Sequence, residues 1–294
     1  MGDDTGRIAQ PLTHAARRIV FGLPAVDELV LLTDVDRAHL VMLTEQQLID
    51  RQESSAVLSE ITRLRAGGFA PLRGREARRG LYLLYEDHLA GRLGPRIAGR
   101  LRTGRSRNDL NATLFLLRLR PAYQRLMASV LRLQAVLLRG AGRHRGLVMP
   151  AYTHYQAAFP TTLGHYLAGV SAAFDRDVEG LAGLASRLGR CPLGAGAGGG
   201  TTVAVDVLRV ADLLGFSSAV EHSTDAVASR EPALRLLAGA AVAGVTMSRL
   251  AHDLLLWTTG EFGFLHLPDS LIGSSSVLPQ KRNPFLLEHV KGRA

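Results

Sequence analysis

Residues 232–257 read as one helix that is apolar on nearly every side. Leu236, Leu237, Val242, Val245, Met247, Leu250, Leu254 and Leu255 leave no broad polar face. Pro232 stands where a helix tolerates proline, in its first turn. A helix of this kind is buried on most sides. In a chain of 294 residues, the pattern predicts a helical bundle whose faces are covered by partner subunits.

Other segments repeat the helical period. Leu110, Leu114 and Leu117, then Leu126, Val130, Leu133 and Leu137, recur at three- and four-residue steps across 106–138. Pro121 lies between the two sets and is expected to kink or interrupt that helix. A second long helix is expected from about Thr161 to Leu188. Residues 1–102 read as a smaller helical region, with periodic stretches over 29–49, 56–65 and 77–93 and a break at Gly67-Gly68-Phe69. No internal repeat or strand-rich region stands out. The expected class is all-α, with an N-terminal helical domain over 1–102 and a central helical-bundle domain over 103–294.

Bulk properties exclude several classes. Charged residues make up 21%, too few for a disordered polyelectrolyte. There is no charge-free apolar run of about 18 residues, so no membrane span is expected. The start Met1-Gly2-Asp3-Asp4 lacks a basic segment followed by an apolar one, so no secretory signal is expected. Cys191 has no second cysteine to pair with, which fits a reducing cytoplasm. The net charge of +9 invites a nucleic-acid reading. The arginines are spread along the chain rather than blocked together, and aromatics are 5%. Nucleic acid is therefore not the expected partner. A basic balance equally suits a small polyanionic substrate.

Three stretches carry chemistry. Thr103-Gly104-Arg105-Ser106-Arg107-Asn108-Asp109 leads into a long helix and offers hydroxyl, guanidinium and amide donors at a helix N-terminus, a ready carboxylate site. Its plainer reading is a capped helix with solvated arginines. In Tyr152-Thr153-His154-Tyr155-Gln156, just ahead of a helix, a histidine held between Thr and Gln could serve as a general acid or base; a lone histidine is more often structural. His165 reads as packing or capping. The third stretch is Gly273-Ser274-Ser275-Ser276-Val277-Leu278-Pro279-Gln280-Lys281-Arg282-Asn283-Pro284, followed by Glu288. It sets hydroxyls, an ammonium and an amide on one loop, and Pro284 then starts a helix. Lys281 and Lys291 are the only lysines among 35 Lys and Arg residues. A compact ammonium thus stands where this chain's habit is a guanidinium. The run Gly194-Ala195-Gly196-Ala197-Gly198-Gly199-Gly200 lacks the Gly-Lys-Ser/Thr ending of a phosphate loop and reads as a connector or as packing near the substrate.

Together, in this order and at these separations, the three stretches resemble the signature regions of the fumarase/aspartase superfamily. Their wording is most similar to the argininosuccinate lyase family: Thr-Gly-Arg-Ser-Arg-Asn-Asp, then Tyr-Thr-His-x-Gln, then Gly-Ser-Ser-x-Met-Pro-Gln-Lys-x-Asn-Pro. The likeness runs from about Glu86 to Gly292. It implies a fumarase/aspartase-like bundle of long helices completed by oligomerisation as a homotetramer, with each active site drawn from three chains. It implies β-elimination of fumarate from an N-substituted aspartate, such as argininosuccinate giving arginine, with no metal and no organic cofactor. Ser275 would be the base, with Lys281 stabilising its alkoxide. Lys281 and Asn283 would hold the aci-carboxylate. His154, oriented by Glu288, would act on the leaving-group side. Ser106, Arg107, Asn108 and Thr153 would hold the succinyl carboxylates, and Gln156 would help position the substrate.

The sequence departs from that pattern in places. Leu110 stands for the usual Gln, His222 for Asn, Ser229 for Asp, Ser274 for the Gly of the serine loop and Leu278 for Met. Gly6-Arg7-Ile8-Ala9 lacks the family's following hydroxyl. These changes flank the leaving-group side and keep open a lyase for another N-succinyl compound. The family continues beyond the position of Ala294 with further helices and substrate-contacting groups. The resemblance therefore implies a fragment, a second chain supplying the remainder, or a non-catalytic structural homologue.

Overall fold

The computed structural model describes residues 27–75 and 80–294. The departure at Gly6 to Ala9 and the expected helix start at Ala77 lie outside the described residues. In chain order the elements are α1 (Glu28–Glu45), α2 (Arg51–Ala66), α3 (Leu81–Leu93), α4 (Pro95–Ala98), a 3-10 turn (Gly99–Arg102), α5 (Arg107–Arg143), β1 (Val148–Thr153), β2 (Gln156–Thr162), α6 (Leu163–Ala182), α7 (Leu184–Leu188), β3 (Arg190–Cys191), α8 (Val207–Leu213), β4 (Ser218–Ala219), α9 (Ser223–Ala228), α10 (Glu231–Trp257), a second 3-10 turn (Asp269–Leu271) and α11 (Phe285–Arg293). The class is the helical one expected, with four short strands among the described residues.

Two expectations need correction. Helix α5 continues through Pro121 without interruption. Proline removes one N–H, which costs the Leu117 carbonyl its donor, but a helix of 37 residues keeps its remaining ladder. The segment before α6 is an antiparallel hairpin, β1 with β2, pairing Val148 with Thr162 and Thr153 with Gln156. The expected helix from Thr161 to Leu188 divides at Gly183 into α6 and α7.

The described residues group into two compact units. One comprises 27–124 and 183–234. Its core is built from Leu32, Val35, Leu40 and Leu43 on α1, Val57, Ile61 and Leu64 on α2, and Tyr85 and Leu89 on α3, all buried. Caps fix where these helices begin. The Asp27 carboxylate accepts from Leu29 N at 3.0 Å, and that of Asp50 from Gln52 N at 2.7 Å, satisfying first-turn N–H groups that have no partner within the helix.

The other unit comprises Arg125–Ala182 and Arg235–Ala294 among the described residues. Val130 and Leu137 of α5, Phe174 of α6 and Leu250 of α10 form its core, flanked by Leu126, Leu133, Val170 and Met247. Polar contacts lock the same helices: Tyr166 Oη donates to Asp253 at 2.6 Å, and Thr246 Oγ1 to Asp177 at 2.7 Å. Gly239 permits the approach of α10 to α6, since a Cβ there would stand 2.4 Å from Leu181 Cδ2. Helix α10 buries only Leu236, Ala243, Leu250, Ala251 and Trp257. Leu234, Leu237, Val242 and Val245 are more than half exposed. Within one chain, then, this helix is not covered on most sides.

Candidate active site

The first motif is presented by a capped helix start. Ser106 Oγ accepts from Asn108 N at 3.3 Å, while Ser106 N donates back to Asp109 Oδ1 at 3.0 Å. This reciprocal arrangement is a capping box. It leaves Arg107 and Asn108 exposed and Ser106 half-buried at the positive end of α5, where an anion is favoured. The remaining members of the motif turn inward. Arg105 Nη1 meets Asp36 Oδ1 at 2.6 Å, with both side chains enclosed, and Tyr82 and Tyr85 pack around the pair, the Tyr82 phenol 3.4 Å from Arg105 Nη2. Burial and the charge of Asp36 push the Tyr85 hydroxyl well above its ordinary range. His39 donates from Nε2 to Thr103 O at 2.9 Å. Burial, with the charge of Arg105 beside it, holds its imidazole down to about 3, so it is neutral.

Asp109 links this helix start to the glycine-rich run. Its Oδ2 accepts from Gly194 N at 3.0 Å and Gly196 N at 2.9 Å. Burial raises its pKa, opposed by those N–H donors. The run is therefore packing, not a free connector. Gly196 holds φ of 61°, and a Cβ there would lie 2.4 Å from the Gly200 carbonyl oxygen. Of the replaced positions, Leu110 is fully buried and serves the core. Sequence reasoning quoted Arg105 and Asp109 only as members of the first motif, without their inward roles, and passed over Asp36 and His39. The Ser-x-x-Asp spacing of a capping box was the one readable signal among them.

The second motif occupies the hairpin tip. Thr153 and Gln156 are the last paired residues, so His154 and Tyr155 are the turn. Both adopt positive φ, 53° and 59°, as a two-residue I′ turn requires. Asn-Gly suits that geometry, and a residue with a Cβ pays about 1–2 kcal/mol at such a position. Thr153, His154 and Gln156 are all exposed.

The third motif is a loop with a tied neck. Gly273 N donates to Asn283 O at 2.8 Å and Asn283 N to Gly273 O at 3.0 Å. Ser275 and Lys281 lie within the loop so closed. Ser275 Oγ accepts from Leu278 N at 3.1 Å and more weakly from Val277 N at 3.4 Å. Lys281 is exposed and its backbone N–H bonds to Leu278 O at 3.0 Å. Arg282 anchors the loop through Asp269 Oδ1 at 2.6 Å and Leu267 O at 3.0 Å. Asn283 is half-buried; Glu288, in the first turn of α11, is exposed. Within one chain, no hydrogen bond or ion pair joins Glu288 to His154 among the described residues.

Comparison with known proteins gives this geometry a context. A family model described as a lyase matches residues 85–294. The chain belongs to this lyase family. Its curated relatives include the argininosuccinate lyase of Methanothrix thermoacetophila, 38% identical over 260 residues, covering 88% of this chain and 53% of that protein. Argininosuccinate lyase 1 of Shouchella clausii is 35% identical over 263 residues, 90% of this chain and 53% of that one. The lyase chain thus spans about half the length of the curated relatives it matches. Among solved structures, an EDDS lyase variant with bound fumarate superposes at a TM-score of 0.89 and 32% identity, covering 99% of this chain and 59% of that one. A class II fumarase from Schistosoma mansoni matches at 0.75 and 16% identity, over 97% and 70%, and shares the fold alone.

Proposed function

We propose that this lyase-family chain provides the front part of a carbon–nitrogen lyase that eliminates fumarate from an N-substituted aspartate, with argininosuccinate as the leading substrate and arginine as the co-product. The observation that carries the reading is Ser275. Its Oγ already faces two backbone N–H groups, the environment that favours an alkoxide over a hydroxyl. Lys281, six residues on, adds a positive charge to the same loop.

In this reading Ser275 removes the proton from the carbon beside a substrate carboxylate. The electron pair passes into that carboxylate as a dianionic aci form, which Lys281 and Asn283 hold. Collapse of the aci form breaks the C–N bond, and a proton reaches the departing nitrogen from the His154 side, with Glu288 as its orienting partner. Ser106, Arg107, Asn108 and Thr153 take the succinyl carboxylates, and Gln156 positions the substrate. No cofactor is needed for this step.

A homotetramer with active sites shared between copies is part of the proposal, in the cytoplasm suggested by the lone, buried Cys191. The exposed Leu234, Leu237, Val242 and Val245 of α10 and Leu131, Val136 and Leu138 of α5 support association, since apolar surface of this extent favours contact over solvent. By length and composition α10 would also pass as a membrane span. Arg235, Arg249 and Asp253 along it favour the bundle. The EDDS lyase neighbour favours a wider alternative, a lyase whose leaving group is not arginine.

Fumarate formation from argininosuccinate, followed by ultraviolet absorbance, tests the proposal on the wild type beside S275A and H154A. Fumarate from the wild type and from neither variant supports it. A folded wild type that yields none from argininosuccinate but does so from another N-succinyl amine selects the wider alternative. No fumarate from either, with the remaining length of the lyase supplied by a second chain, sinks the fumarate-releasing reading.

A further inference from the structure

The hairpin carries two tyrosines with opposite surroundings. Tyr152 packs into an aromatic group, its ring centroid 5.2 Å from Phe262 and 6.2 Å from Phe264. Tyr155 is 68% exposed and has no hydrogen bond, ion pair or ring contact with any described residue. It also sits at φ of 59°, where glycine or asparagine is at ease and a tyrosine is strained. The fold offsets little of that strain, because most of the residue stays in solvent. A strained residue that its own fold does not reward points to a contact outside it.

Position narrows the contact. Tyr155 follows His154 directly in a two-residue turn, so both side chains leave one exposed hairpin tip from Cα atoms about 3.8 Å apart, close enough for one ligand to engage both. The ring face is electron-rich and disfavours carboxylates, which the arginine, serine and asparagine of the first motif suit better. The same face attracts a planar cation. We infer that Tyr155 is a specificity-determining residue whose ring takes a cationic leaving group, the guanidinium in the case of argininosuccinate. The inference rests on the proposed lyase reading and deepens it on the leaving-group side.

Four forms of the protein separate the possibilities: wild type, Y155F, Y155L and Y155G. Leucine keeps the Cβ, and so the strain, but removes the ring; phenylalanine keeps the ring; glycine removes both. Arginine binding by calorimetry and argininosuccinate kinetics are read together, with fumarate inhibition as the control. In Y155L and Y155G, arginine affinity falls and KM rises by about fivefold, the scale of a partly desolvated cation–π contact. Their kcat stays within about twofold and fumarate inhibition is unchanged, the signature of lost ground-state binding. Y155F matches the wild type. Unchanged arginine affinity in Y155L overturns the inference. So does a loss of oligomer in Y155L by sedimentation, with fumarate inhibition altered too, which would make Tyr155 a subunit contact. If the wild type forms no fumarate even with the remaining length of the lyase supplied by a second chain, the fumarate-releasing reading fails on its own, and calorimetry still decides: ring-dependent arginine binding upholds the contact, and absent binding removes it.

Discussion

Asp109 Oδ2 lies 2.9 Å from the backbone nitrogen of Gly196 and accepts its hydrogen. The same carboxylate accepts from Gly194, Ser106 and Leu110. One side chain thus fixes both the helix start that offers Arg107 and Asn108 and the glycine run packed beneath it. Replacing Asp109 by asparagine turns an acceptor toward N–H groups as a donor, leaving them unpaired in a buried place. The expected loss is about 2–3 kcal/mol of unfolding free energy, read as a lower urea midpoint with unchanged slope.

Arg105 and Asp36 form an enclosed ion pair at 2.6 Å. Removing one partner strands a buried charge, so R105M is expected to cost about 3–5 kcal/mol. The double variant R105M/D36L should recover much of that loss, because neither charge then remains. A double-mutant cycle on urea unfolding checks this; costs that simply add would show the two side chains to be independent.

His39 supplies a pH dependence with a definite sign. Its imidazole is held down to about 3 from an ordinary 6.5, while the unfolded chain takes up a proton near the ordinary value. The unfolded state therefore binds more protons within that window, and stability falls as pH drops from 6.5 toward 3. Above the window His39 adds no slope. Unfolding midpoints of the wild type and H39Q between neutral and mildly acidic pH should converge as pH falls; parallel curves would count against this origin.

Lys281 is exposed on a loop tied by backbone bonds, so K281R should leave the unfolding midpoint unchanged. In the proposed mechanism a planar guanidinium does not reproduce the compact ammonium assigned to the charge sink. The expected result is a fall in kcat of about a hundredfold, the scale of losing one oriented charge-stabilising group, in fumarate assays on folded protein. Near-normal turnover would remove Lys281 from the charge sink.

Much of this protein is legible in its sequence. The helical period at Leu126, Val130, Leu133 and Leu137, the first-turn Pro232 and the serine loop ahead of Pro284 placed helices and motifs, because helix formation is written in spacings of three and four residues. The hairpin was not legible. Its strands exist through pairing with each other, Pro150 stands opposite Pro160, and most of its residues stay exposed, so no alternation of apolar and polar positions marks them.

Within the first motif the sequence by itself determined which residue types stand at the start of α5. Only the tertiary structure decided that Arg105 and Asp109 turn inward while Arg107 and Asn108 face solvent. The reason is long-range. Arg105 is enclosed because Asp36, 69 residues away, neutralises it, and Asp109 because Gly194 and Gly196, 85 and 87 residues on, bring N–H groups to its carboxylate.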